Sequence, residues 1–296
     1  MTATTAAATA PITNTLDVPG ATLTYDVRRN DASVDPVLLL IGSPMGAGGF
    51  GTLAGHFQDH TIVTYDPRGV ERSVKTDPAS ESTPAQHADD LHRVITALGS
   101  GPVDIFASSG GAVNALALVA AHPEDVRILV AHEPPLASIV PDREGALAAT
   151  LAVRDAYAKD GFGAGMARFI GVVSHTGPFP ADYASQPAPD PAMFGLPAAD
   201  DGNRTDALLH QNIISCTHYE PDFDALRAAP TRIVLGAGVE SAGQLAHRGA
   251  EAAAERLGTE AVPFPSDHGG FLGGEYGQRG DPYGFAVTLR EVLAAG

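Results

Sequence analysis

The sequence predicts an α/β fold, a mostly parallel twisted sheet flanked by helices, with a helical segment inserted between two strands. Several short segments are almost wholly apolar, which is typical of strands covered on both faces. Helix-patterned segments separate them, as crossovers between parallel strands require. One long stretch contains no such strand. A chain of 296 residues can hold this arrangement as one large α/β core with an inserted cap.

The strands and helices alternate along the chain. The segment TLDVPGATLTYDVRR alternates apolar and polar residues around Pro19-Gly20, which predicts a β-hairpin. Thr83 and Pro84 begin a helix that ends at Gly99. Buried strands are predicted at 35–42, 61–66, 103–108, 126–133 and 231–238, with a weaker last strand at 260–268. Further helices are predicted at 112–121, 241–258 and in the closing segment GFAVTLREVLAAG.

Residues 136–224 break this alternation. Helical pieces such as EGALAATLAVRDAYAKDG appear there, followed by a Pro-rich stretch, and the whole is too long for a plain loop. We therefore predict a flexible tail at 1–14, an α/β core formed by 15–135 and 225–296, and a helical cap at 136–224.

Composition excludes several classes of partner. The formal net charge of −17 disfavours nucleic acid, and no basic stripe suits an anionic membrane. The start MTATTAAATAPITNT lacks the features of a secretory signal, and no apolar run approaches the roughly 20 residues of a membrane-spanning helix. We expect a soluble cytoplasmic protein that acts on a small molecule. The single cysteine, Cys216, is expected to be a small buried hydrophobe.

The stretch DIFASSGGAVNALAL joins a predicted strand to a predicted helix and contains two adjacent serines. A side chain presented from so sharp a turn needs small residues two positions before and two after it, because the strand and helix backbones approach closely there. Phe106 violates this rule if Ser108 is the apex. Ala107 and Gly111 satisfy it if Ser109 is the apex. Ser109 is therefore the predicted nucleophile.

His268 is the predicted general base among 11 histidines. It follows the last strand, on the Gly-rich loop PSDHGGF. Because the carboxyl ends of parallel strands share one edge of a sheet, we expect His268 at the same edge as Ser109. His132 lies near the same edge, where we expect a hydrogen-bonded core histidine rather than a catalytic one. No histidine pair has metal-ligand spacing with a supporting carboxylate, so no metal is predicted.

Two carboxylates can orient His268. Glu133 ends one strand and is followed by the rigid pair Pro134-Pro135, which suits a fixed acid, and Glu240 follows the next core strand. Glu133 is preferred and Glu240 stays open as the alternative.

Donors for a developing oxyanion are predicted from two backbone amides. Ser43 follows the first core strand in a Gly-rich loop, and Gly110 follows Ser109, with its N–H expected at the first turn of the next helix. We expect substrate contacts from Met45 in this loop and from Phe169 and His218 in the cap.

These motifs together resemble the α/β-hydrolase fold superfamily. ASSGG resembles its G-x-S-x-G nucleophile elbow, and LIGSPM resembles its oxyanion loop, with Ile41 replacing the usual histidine. YDPRGVERS resembles its Y-D-x-R-G-x-G-x-S turn, with Glu71 replacing a glycine, and DHGGF resembles its terminal histidine loop. The acid position departs from the family, because Val239 stands about where the usual Asp falls.

The resemblance implies Ser109 as nucleophile, His268 as base, and Ser43 and Gly110 as oxyanion hole. A Glu after the preceding strand, as in certain haloalkane dehalogenases, matches Glu133. Those enzymes use an Asp nucleophile, so the serine favours ester-type chemistry over dehalogenation or epoxide hydrolysis. No cofactor is implied, and the resemblance admits a homodimer only by analogy.

Three functions follow from this site. The first is a serine hydrolase that cleaves a small or medium apolar ester, lactone, thioester or carbon–carbon bond. The second is a secondary-metabolite tailoring enzyme that catalyses cyclisation, elimination or acyl rearrangement in a dry pocket. The third is a non-catalytic small-ligand receptor, which the presence of both Ser109 and His268 disfavours.

Overall fold

A computed structural model describes residues 10–295 of the chain. Its strands are β1 Ile12–Val18, β2 Ala21–Arg28, β3 Leu38–Ile41, β4 Ile62–Asp66, β5 Val74–Lys75, β6 Val103–Ser108, β7 Val126–His132, β8 Arg232–Gly238 and β9 Val262–Phe264. Its α-helices are α1 Gly51–Gly55, α2 Pro84–Leu98, α3 Gly110–Ala121, α4 Arg143–Ser174, α5 Ile213–Thr217, α6 Phe223–Ala228, α7 Leu245–Leu257 and α8 Pro282–Ala294. Single 3₁₀ turns and a π-helical turn, Ala207–Asn212, complete the described chain.

One mixed sheet organises these elements in the order β1-β2-β4-β3-β6-β7-β8-β9, with β5 paired to β2. The six strands from β4 to β9 along this order are parallel, whereas β1, β2 and β5 pair antiparallel. The predicted fold class, a mostly parallel sheet flanked by helices, is confirmed. The carboxyl ends of the parallel strands share one edge, and the loops that leave this edge carry the predicted site residues.

Apolar side chains pack on both faces of the sheet. Strand β3 shows this directly, because Leu39 and Ile41 join the layer under α2, α3 and α7, while Leu38 and Leu40 join the layer under α1 and α8. All four are fully buried. Burying a leucine or isoleucine stabilises a fold by about 1.5–3 kcal/mol, which explains why the run reads as continuously apolar.

The observed boundaries differ from the predicted ones in a few places. Strand β1 begins at Ile12 and not after residue 14, because this exposed edge strand pairs with β2 despite its polar sequence. The rest of the predicted tail, residues 1–9, lies outside the described residues. Helix α3 begins at Gly110, two residues early, and α7 begins at Leu245, four residues late. Helix α2 begins and ends as predicted, with Thr83 forming a capping box.

The chain between β7 and β8 is helical or irregular. Helix α4 is broken at Gly161, whose φ of 84° lies in a region that glycine adopts readily and other residues rarely do. Its buried apolar residues form a cluster of their own with those of the π-helical turn and α5. Helix α6 packs on the main core through Phe223 and Leu226. None of the helices within residues 10–295 is long and apolar enough to cross a membrane.

Candidate active site

Ser109 is the single residue between β6 and α3. Its backbone has φ 57° and ψ −127°, a conformation that costs a non-glycine residue about 1–3 kcal/mol. The strained turn is fixed at both ends, because the Ser109 N–H donates to the His132 carbonyl at 3.0 Å and the Ser109 carbonyl accepts from Ala112 N at 2.9 Å. Ser109 is half-buried at the sheet edge, whereas Ser108 is buried within β6. The turn thus presents one serine and hides the other.

The space around this turn explains its small residues. A Cβ added to Gly111 would lie 2.7 Å from the Cα of Gly42, and one added to Gly110 would lie 2.5 Å from the carbonyl oxygen of Ser43. Both contacts are with backbone, which cannot move aside. The first turn of α3 therefore packs directly on the loop after β3, which is the close approach that the sequence argument requires of position 111.

The structure brings His268 and Glu133 together. The β6–β7 pairing aligns Ser108 with His132, so Ser109 and Glu133 are each the first residue beyond adjacent strands. Glu133 also has a positive φ of 48°, and its N–H donates to the Gly236 carbonyl of β8. His268 lies on the loop after β9, and its Nδ1 is 2.6 Å from Oε2 of Glu133.

Glu133 is a fully buried anion with several donors. Its Oε1 accepts from the Gly238 N–H at 2.8 Å and from the Ser241 hydroxyl, while His247 Nδ1 lies 3.6 Å away. Burial raises the pKa of Glu133, but the hydrogen bonds and charge of its partners, His268 above all, outweigh burial and lower that pKa to about 2. The anion holds the hydrogen of His268 on Nδ1, which leaves Nε2 to accept a proton.

Glu240, the alternative acid, lies elsewhere. Its Oε2 accepts from the Ser266 hydroxyl at 3.3 Å in an exposed position, and its N–H donates to the Ser266 carbonyl. Val239, at the place of the family's usual acid, is 55% exposed. Of the two predicted acids, Glu133 is the one whose carboxylate contacts His268.

The two predicted oxyanion donors are neighbours, as the Gly110–Ser43 approach shows. Gly110 is the first residue of α3, so its N–H has no acceptor within the helix. The Ser43 hydroxyl donates to Oδ1 of Asn212 at 3.0 Å, and Nδ2 of Asn212 donates to the Ala207 carbonyl at 2.6 Å. Asn212 ends the π-helical turn, and such turns often mark functional sites.

Sequence reasoning missed Asn212 and Ser241. Each is a polar residue in a segment whose local pattern gives no signal of its partner, 169 residues from Ser43 in one case and 108 residues from Glu133 in the other. Their burial is the feature that distinguishes them, and only the fold reveals it.

The three predicted substrate contacts have other partners in the structure. Met45 folds under its own loop, where a Cβ on Gly49 would lie 2.3 Å from its sulfur. Phe169 packs against the apolar cluster of the β7–β8 segment. Nε2 of His218 lies 2.9 Å from the Thr150 hydroxyl of α4. Their contact with substrate stays a prediction.

His132 and Cys216 are buried. His132 packs against Phe264 and Phe285, with ring centroids 5.5 and 5.1 Å apart, and burial lowers its pKa to about 3. The expectation of a hydrogen-bonded histidine is wrong, because neither ring nitrogen has a partner within residues 10–295. Cys216 is 3% exposed, and burial raises the pKa of its thiol to about 12, which leaves it unreactive.

The turn YDPRGVERS supports the loop after β3. Asp66 accepts from the Ala47 N–H at 2.8 Å and from Nε of Arg72 at 2.6 Å. Glu71, which replaces a family glycine, keeps a positive φ of 46°, and its carboxylate accepts from the Tyr276 hydroxyl at 3.2 Å. Glu71 therefore adopts a left-handed backbone conformation even though it carries a side chain.

Fold and site together define a hydrolase of the α/β class, and comparison agrees. Residues 35–229 match the model of the alpha/beta hydrolase fold family, to which the chain belongs. It is 31% identical over 263 residues to the uncharacterized hydrolase YraK of Bacillus subtilis (strain 168), which covers 87% of this chain and 89% of that protein. The chain is an enzyme of this hydrolase family.

Solved structures share the fold at low identity. A thermophilic esterase from Thermogutta terrifontis superposes with a TM-score of 0.64 at 18% identity, covering 97% of this chain and 99% of that one. The enol-lactonase from Burkholderia xenovorans LB400 gives a TM-score of 0.62 at 16% identity, covering 95% and 100%.

Proposed function

We propose that this protein is a serine hydrolase that cleaves a small or medium apolar ester, lactone, thioester or carbon–carbon bond through an acyl-enzyme. The observation that carries the proposal is the 2.6 Å contact of His268 Nδ1 with the buried anion Glu133, at the same sheet edge as the strained Ser109. A buried carboxylate that orients a histidine, at the sheet edge that also carries a serine in a strained turn, supports nucleophilic acyl transfer.

The proposed reaction begins when Nε2 of His268 takes the proton of the Ser109 hydroxyl while its oxygen attacks the substrate carbonyl. The N–H groups of Ser43 and Gly110 stabilise the oxyanion of the tetrahedral intermediate. The intermediate collapses to an acyl-serine, and the leaving group departs with the proton from His268. Water, deprotonated by His268, then attacks the acyl-serine, and the acid is released as His268 returns that proton to the Ser109 oxygen. Glu133 stays ionised throughout and stabilises the imidazolium.

Serine at the elbow supports acyl transfer over reactions that need a carboxylate nucleophile. The names of two structural relatives, an esterase and an enol-lactonase, also favour esters and lactones as the first substrates to test. The apolar cluster of the β7–β8 segment, with partly buried Phe162, Met166 and Phe169, supports an apolar acyl or alcohol group.

The test is hydrolysis of short p-nitrophenyl esters and small lactones by the wild type, by Ser109→Ala and by the matched control Ser108→Ala. We expect Ser109→Ala to lose activity and Ser108→Ala to retain it. The reaction run in ¹⁸O-labelled water should place one labelled oxygen in the acid. Product without label argues for the tailoring chemistry, and full biological function of Ser109→Ala argues for a receptor.

A further inference from the structure

Three side chains from two separate parts of the chain meet on the surface between α2 and the turn before β7. His92 lies on α2, His122 caps the C-terminus of α3, and Asp125 ends the short turn that follows. One ligand atom from each lies within 4.8 Å of the others. The two imidazole rings stack with centroids 3.9 Å apart, and Nδ1 of His92 is 2.7 Å from Oδ2 of Asp125. Within residues 10–295 this is the one such group of three.

We propose that His92, His122 and Asp125 bind a divalent transition metal ion, with Zn²⁺ the best match. Two imidazole nitrogens and one carboxylate oxygen are ligands that Zn²⁺ takes in proteins, and water completes the four-coordinate site. Zinc–ligand bonds of about 2.0–2.2 Å require the donor atoms to sit about 3.3 Å apart. Because the two imidazole rings are nearly parallel, with 12° between their planes, one ring must turn out of the stack before both nitrogens point at one ion.

The charges around the three residues favour a cation. Oε1 of Glu124 lies 3.7 Å from Nδ1 of His122, which adds a second carboxylate beside Asp125. The nearby cation, Arg93, pairs with Asp89 at 2.9 Å, so its charge is balanced. The side chains of His92 and His122 are 32% and 30% exposed and that of Asp125 is 12% exposed, so a metal ion can reach the two imidazoles from solvent.

This site is separate from the proposed active site. Ser109 and His122 flank opposite ends of α3, a helix of 12 residues and so about 18 Å long. A metal at the C-terminal end of α3 takes no part in acyl transfer. Its effect is to link α2 to the α3–β7 turn, which ties two neighbouring elements of the core together.

Sequence reasoning missed this group, because the expectation of no metal rested on ligand spacing. His122 and Asp125 are three residues apart, but His92 comes from another helix, 30 positions earlier. The packing of α2 on α3 brings His92 to the other two residues, and ligand spacing along the sequence does not predict this contact.

Isothermal titration of the full chain, treated with chelator and then dialysed, tests the proposal with Zn²⁺ alone. We expect one equivalent to bind with a dissociation constant below about 10 μM, while Mg²⁺ gives no signal because it prefers oxygen ligands. His92→Gln and His122→Gln should each weaken binding at least about tenfold, since each removes a zinc ligand. At a free Zn²⁺ concentration of about 100 times the dissociation constant, the wild type should gain about 5 °C in Tm.

Two matched controls locate the ion. His56→Gln alters a histidine that packs against Tyr283 away from this cluster, and His268→Gln alters the proposed active site, so both should bind Zn²⁺ as the wild type does. Failure of the wild type to bind Zn²⁺, wild-type affinity in both cluster variants, or loss of binding in His268→Gln would each overturn the proposal. Asp125→Asn, which keeps both imidazoles, should weaken binding less, and provides the test if a histidine variant fails to fold.

Discussion

Replacing Glu133 by Gln tests the assignment of the acid while keeping the size of the side chain. The substitution removes a buried negative charge that lies 2.6 Å from Nδ1 of His268. It also turns one oxygen into an NH₂ group that must face donors, because the Gly238 N–H and the Ser241 hydroxyl both point at this carboxylate. The matched control is Glu240→Gln, which changes an exposed carboxylate bonded to Ser266.

The expected loss follows from the charge interaction. When Ser109 loses its proton, His268 becomes a cation whose charge centre lies about 4 Å from that of Glu133. At that distance and an effective dielectric constant of about 20, the attraction is worth about 4 kcal/mol. Since each 1.36 kcal/mol of barrier changes the rate about tenfold, kcat should fall by about a thousandfold. Glu240→Gln should change kcat by less than about twofold.

Steady-state hydrolysis of the best ester substrate, measured for both variants at one pH, reports these values. A fall in kcat with KM nearly unchanged is the expected pattern, because Glu133 stabilises a charge that appears during the reaction. If Glu240→Gln causes the large loss and Glu133→Gln the small one, the acid has been assigned to the wrong residue. Far-UV circular dichroism of both variants separates a catalytic loss from misfolding.

Three further predictions concern the framework of the site. Gly111→Ala should lower the free energy of unfolding, measured by urea denaturation, by about 1–3 kcal/mol, because its Cβ would meet Gly42 Cα at 2.7 Å. Gly55→Ala, with open space around it, should be neutral or stabilising. Equal effects of the two substitutions would contradict the close packing inferred at Gly111. Asn212→Ala should lower kcat about tenfold, because it removes the acceptor of the Ser43 hydroxyl in the oxyanion loop. An unchanged kcat would show that Asn212 does not support the site. The pKa of Glu133 is lowered to about 2 from an ordinary 4.5, which should contribute about 3 kcal/mol to the free energy of unfolding. This contribution should be complete above pH 4.5 and be lost as pH falls toward 2. Urea unfolding of Glu133→Gln should lack this acid-dependent loss.

The strands and helices of the core were predictable because each has a local cause. Strand β3 is continuously apolar and β4, β6, β7 and β8 are mostly apolar, and α2 carries its own start and stop signals in Thr83 and Gly99. The choice of Ser109 over Ser108 was also local, because it depended on the sizes of neighbouring residues. Strand β1 was predicted three residues short, since an exposed edge strand has no apolar periodicity to mark its end.

The contacts that support the site were not predictable, because they join distant parts of the chain. The choice between Glu133 and Glu240 depends on where the loop after β9 places His268, and both acids follow parallel strands at the same edge. The Asn212–Ser43 hydrogen bond depends on a π-helical turn that no sequence period announces. Single-sequence patterns describe each element, whereas these contacts depend on how the elements pack.

Labelling with a fluorophosphonate, followed by mass mapping of the modified peptide, tests the central claim most directly. The reagent phosphonylates an activated serine and so reports the nucleophile itself, with no need to know the substrate. We predict one label on Ser109, its loss in Ser109→Ala, and its retention in Ser108→Ala. A label on Ser108, or an unlabelled wild type, would contradict the proposal that Ser109 is the activated nucleophile of this hydrolase.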